Sequence, residues 1–120
     1  MTQMMSLTKY EHQVLPRLRD QLNQSESVED VKKFFVATIQ DFLSLATEGS
    51  LSPGYDDISL LPGETPFYSF SSTLSDDDSI KALADSDLDA VLKRLAEQAS
   101  HRHANLMKNN TKTNLKIKNH

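Results

Sequence analysis

His101 and His103 flank Arg102, and two imidazoles this close together invite a metal reading. A helix defeats it, because residues two apart point roughly 160–200° away from each other and cannot converge on one ion. Asp85, Asp87 and Asp89 have the alternating spacing that opens a calcium loop. Such a loop also needs Gly at its sixth position and Glu at its twelfth, where this chain has Ala90 and Ala96. The three acids suit the first turn of a helix instead, where the macrodipole favours negative charge.

Nucleophilic and phosphate-handling motifs fare no better. The glycines are Gly49, Gly54 and Gly63 alone, so no nucleophile elbow, phosphate loop or dinucleotide fingerprint can be written. With no cysteine there is no thiolate, no disulfide and no Cys-ligated zinc. These residues predict no catalytic, cofactor-binding or metal-ligating set.

One polar constellation remains. Glu11 falls on the apolar side of the first helical pattern, and Arg102 and His103 flank the apolar stripe of the last. An unpartnered buried carboxylate is costly, so Glu11 is expected to pair with Arg102 or His103 across a helix interface. The competing account has all three snorkelling at the edge of the core. Glu11, Arg102 and His103, with the aromatics Phe67, Tyr68 and Phe70, form the candidate interaction surface or buried polar cluster. An acid–base site would have to draw on Glu11, His12 and His103.

The elements that position these residues follow from periodicity. Leu7, Tyr10, Val14, Leu18 and Leu22 recur at helical spacing, with Pro16 predicted to kink or split that helix. Ser27 is the predicted N-cap of a second helix over 27–48, ended by Gly49. Its stripe of Val28, Val31, Phe35, Ile39, Phe42, Leu43 and Ala46 occupies about a third of the circumference. Helical period vanishes over 50–74, where Pro53-Gly54 and Pro62-Gly63 each suit a type II turn. Ile58 and Leu60 alternate with polar residues, and Phe67–Phe70 favours strand, predicting a short β-hairpin or an irregular insertion. Ser75 followed by three acids suggests a short helix through Ile80 and Leu83. A last helix is expected over 87–107, with Leu88, Val91, Leu92, Leu95, Ala99 and Leu106 on one face.

The expected architecture is therefore mainly α: a bundle of three to four helices with an insertion at 50–74. Residues 1–107 would form one domain and 108–120 a flexible basic tail. The 120 residues suffice for one domain, and the 38% hydrophobic content leaves self-association open as a source of further burial. The N-terminal MTQMMSL has no basic-then-apolar signal pattern and no apolar run approaches a membrane span, so a cytoplasmic location is expected.

Charge is unevenly placed. Residues 48–89 hold ten acids against Lys81, whereas 90–120 hold seven bases against Glu97. The tail lysines 108, 112, 116 and 118 could touch phosphates, but the net charge of −4 disfavours nucleic acid as a partner. The function expected is a non-catalytic protein-interaction or assembly module, joined to an unknown protein or to itself, without a cofactor. The alternatives are a weak nucleic-acid accessory factor working through the tail, and an enzyme or metal protein with an unrecognised site.

Overall fold

The computed structural model describes residues 6–118, and side chains as far as Lys108. Three long helices dominate: α1 (Thr8–Gln24), α2 (Val28–Ala46) and α5 (Leu88–Lys118). Between α2 and α5 lie a two-stranded hairpin, β1 (Ile58–Leu60) and β2 (Tyr68–Phe70), and two short helices, α3 (Ser72–Ser75) and α4 (Asp78–Ala82). The architecture is the mainly helical bundle with a hairpin insertion that periodicity predicts.

α1 is one continuous helix with the exposed Pro16 inside it, so the chain does not split there. Its neighbour α2 starts where the sequence places it. The Ser27 hydroxyl accepts the Asp30 amide at 3.1 Å, satisfying one of the four orphan donors of the first turn. After the Thr47 C-cap the backbone reverses through Glu48 (φ 55°) and Gly49 (φ 84°), a left-handed exit suited to glycine.

Every helix turns its stripe inward. Leu7, Leu18, Val31, Phe35, Ile39, Phe42, Leu43, Val91, Leu92 and Leu95 have essentially no exposed surface. Val36 and Thr38 are also buried, whereas Val28 is half-buried. The buried face of α2 is thus wider than the predicted third of its circumference, because α2 packs against α1, α5 and β1 together.

β1 and β2 pair antiparallel with Ile58 opposite Phe70 and Leu60 opposite Tyr68. Gly63 has φ 79°, as a type II turn requires, but Gly54 has φ −79° and is not the left-handed turn residue expected there. The Asp57 carboxylate accepts the Gly54 amide at 2.9 Å and the Ser71 hydroxyl at 2.7 Å, so one acid ties the entry of the hairpin to its exit. α2 anchors this insertion through Gln40, whose amide donates to the Pro53 carbonyl at 2.9 Å. α5 anchors it through the buried Ser100 hydroxyl, which accepts the Gly63 amide at 3.1 Å.

Two helix boundaries differ from the sequence reading. The cap of α4 is Asp77, which accepts the Ser79 amide, not Ser75. Ser75 instead closes α3, a turn capped by Ser71. α5 does not end at 107: its backbone continues through the stretch expected to be a flexible tail, as far as Lys118. No glycine or proline follows Gly63 and Pro66 to stop it.

Candidate functional site

Glu11 is 5% exposed and bound by Arg94, whose Nε and Nη2 donate to its two carboxylate oxygens at 2.9 and 2.7 Å. The expected partners Arg102 and His103 lie elsewhere. α1 and α5 run parallel, and Glu11 sits at the level of the second turn of α5. Arg102 is eight residues further on, about 12 Å along the axis at 1.5 Å per residue. The carboxylate hydrogen bonds, and to a lesser extent the charges of Glu11 and Asp87, hold the Arg94 guanidinium above its ordinary value against the opposing effect of burial.

Arg102 has a different task. Its Nη2 donates to the Ser25 carbonyl at 2.8 Å and to the Asn23 carbonyl at 3.4 Å, where α1 ends. α1 has no basic residue in its own last turn, so Arg102 supplies the cation that the negative end of the helix favours. The opposite end is treated in the same way. Asp87 accepts the Leu7 amide at 2.8 Å and the Ser6 hydroxyl at 3.4 Å, just before α1 begins. Asp87, just ahead of α5, and Arg94 and Arg102 within it recur at seven- and eight-residue intervals, one stripe that grips α1 at its N-cap, in its first turn and at its end.

The carboxylates of the alternating acid triplet are directed apart. Asp87 goes to α1, while Asp89 accepts the phenol of Tyr68. Burial of Tyr68, and then its bond to Asp89 and that charge, push the phenol well above its ordinary value of 10.0. The Tyr68 and Phe70 rings meet in a tilted arrangement, 5.3 Å between centroids and 57° between planes, and with Phe67 they lie half-buried against the core. Phe67 has φ 76°, a conformation uncommon for a bulky side chain. The aromatic segment therefore roots the hairpin more than it presents a surface.

His101 and His103 leave α5 on different sides. His103 lines a groove of about 360 Å³ between the hairpin, the first turns of α2 and α5. Val28, Leu60 and Pro62 form its apolar wall, with Tyr55 at one side and Lys32 above the Tyr55 ring at 5.4 Å. Glu29 adds one acid to the rim. Tyr55 is 44% exposed; it and Met107 are the exposed large hydrophobics among the described residues. Sequence reasoning passed over Tyr55, because a lone tyrosine after a Pro-Gly turn carries no periodic signal. His101 lines a second groove against the end of α1. His12, on the outer side of α1, is exposed.

The grip of Asp57 makes the hairpin sensitive to acid. The Ser71 hydrogen bond, and then the Gly54 amide, hold this carboxyl below its ordinary value of 3.8. A depressed carboxylate contributes stability above its unfolded value and loses it as pH falls through the folded one. Below about pH 4 the wild-type protein should therefore lose stability more steeply than Asp57→Asn. Superimposable acid limbs in urea midpoints taken between about pH 4 and 2 would refute that role.

The class of protein that fold and site define is a three-helix body gripped by one polar stripe and covered by a hairpin. No family model, curated protein or solved structure matches the chain. No helix among the described residues is long and apolar enough to cross a membrane.

Proposed function

We propose that this protein is a non-catalytic interaction module that docks a partner polypeptide in the groove at Tyr55. The carrying observation is where exposed apolar surface remains. The helix stripes are consumed by the core and Phe67–Phe70 by the root of the hairpin. Of the two exposed large hydrophobics among the described residues, Tyr55 and Met107, Tyr55 is the one that lines a groove, beside Val28, Leu60 and Pro62. Tyrosine suits an interface because it contributes a large, rigid area with a polar tip. Lys32 and His103 on the rim favour a partner with an apolar side chain beside an acidic one.

A groove of this size does not present a broad apolar face, which weighs against an obligate dimer built from a helix stripe. The residues most able to do acid–base work are held in structural roles or kept apart. Glu11 is fixed by Arg94, and His103 lies nine residues beyond Arg94, about 13 Å along α5. The nucleic-acid alternative rests on lysines 108, 112, 116 and 118; Lys108 is exposed, and the side chains of the other three lie outside the described residues.

Tyr55→Ser should reduce capture of a discrete partner from native extract by at least about tenfold, the loss expected of an interface anchor. The variant should unfold at the wild-type temperature, since Tyr55 is outside the core. Equal capture by wild type and Tyr55→Ser, or a partner cross-linking to α1 alone, would overturn the reading.

A further inference from the structure

The four arginines divide into two kinds. Arg17 faces Asp41 at 3.7 Å and Arg94 faces Glu11 at 2.7 Å. Among the described residues Arg19 and Arg102 have no carboxylate partner, and both line the same groove, about 280 Å³, between the end of α1 and α5. His101 joins them, with the amide side chains of Asn23, Gln98 and Asn105, and no carboxylate belongs to the lining. In a chain of net charge −4, an unneutralised pair of guanidinium groups beside neutral hydrogen-bond donors is a specific placement.

We propose that this groove is an oxyanion site that takes a phosphate group, either free phosphate or a small phosphate monoester. Arg19 is exposed and has no ion-pair partner among the described residues, so its planar fork can meet two phosphate oxygens at once. Arg102 approaches from the other helix. Its Nη2 is engaged by the Asn23 and Ser25 carbonyls, which fixes the guanidinium plane and offsets the negative end of α1. Its Nε is enclosed without an acceptor, and the hydrogen bonds seen for this guanidinium among the described residues use Nη2 alone, which leaves Nη1 as the donor to offer a ligand. Asn23, Gln98 and Asn105 can donate to the remaining oxygens, and an imidazole N–H of His101 can do the same. Neither Arg19 nor His101 shares the groove at Tyr55, so this site stands or falls independently of the partner groove.

The test is titration of the isotope-labelled full chain with inorganic phosphate and, separately, glycerol 3-phosphate, with chloride holding ionic strength constant. Saturable amide shifts confined to residues 19–25 and 98–105 are expected. Arg19→Gln should weaken binding at least tenfold with an unchanged unfolding temperature, whereas Arg17→Gln should leave it as it is. The tighter of the two ligands identifies the source of the phosphate group. Shifts that rise without saturation, shifts spread equally over Lys32 and Lys93, or an affinity that survives Arg19→Gln would each overturn the site.

Discussion

Phe42→Ala is expected to lower the free energy of unfolding by about 3–5 kcal/mol, the range measured for emptying a buried phenylalanine site. Phe42 has no exposed surface, on a helix that packs against α1, α5 and β1 at once. Neighbours held from three sides cannot collapse into the space, so the lost transfer energy and the cavity both count. Against a typical domain stability of about 5–15 kcal/mol, the variant would retain a narrow margin. The urea midpoint should fall sharply while the slope of the transition holds, since the surface exposed on unfolding hardly changes. A loss below about 1 kcal/mol would mean that the α2 stripe is not the centre of the core.

What the sequence made legible here is what periodicity encodes. The stripes of α1, α2 and α5, the Ser27 cap and the Ile58–Leu60 and Phe67–Phe70 hairpin arms all rest on local patterns. Val36 and Thr38 were hidden because a stripe narrows or widens with the number of neighbours, which tertiary packing alone decides. The cap of α4 was displaced from Ser75 to Asp77 because a run of Ser and Asp offers several equivalent caps. α5 runs beyond the point where its apolar residues thin out, since a shortage of apolar residues predicts a loss of packing and does not by itself end a helix.

The polar constellation was half legible, and the reason lies in orientation. That Glu11 is buried and needs a cation could be read from its place beside the Leu7–Leu22 stripe. Choosing the cation required knowing that α1 and α5 run parallel and in what register. Leu7 meets Asp87, Glu11 meets Arg94, and Asn23 and Ser25 meet Arg102, so residue numbers climb together along both helices. Arg94 was in plain view in the sequence, one turn from Val91 and next to Leu95. Sliding α5 by about two turns, as a Glu11–Arg102 pair demands, would leave both ends of α1 without their partners.

That register supplies the second large effect. Arg94→Met should destabilise the protein by about 2–3 kcal/mol, because it strands a carboxylate that is 5% exposed. The figure sits below the range for a fully buried pair, since the Arg94 side chain is 49% exposed and water can partly replace it. Replacing both partners, Glu11→Met with Arg94→Met, should return stability to within about 1 kcal/mol of the wild type, as apolar side chains of similar length fill the interface without a charge to desolvate. If the single variant is as stable as the wild type, water must already reach Glu11. If the double variant is no better than the single, the salt bridge is favourable beyond what its burial costs. A recovered double variant would show that the Asp87 and Arg102 contacts at the two ends of α1 suffice to hold the parallel register. The pair would then be a device that selects this alignment of α1 on α5, and with it the groove that brings Arg19 to Arg102, more than a source of net stability.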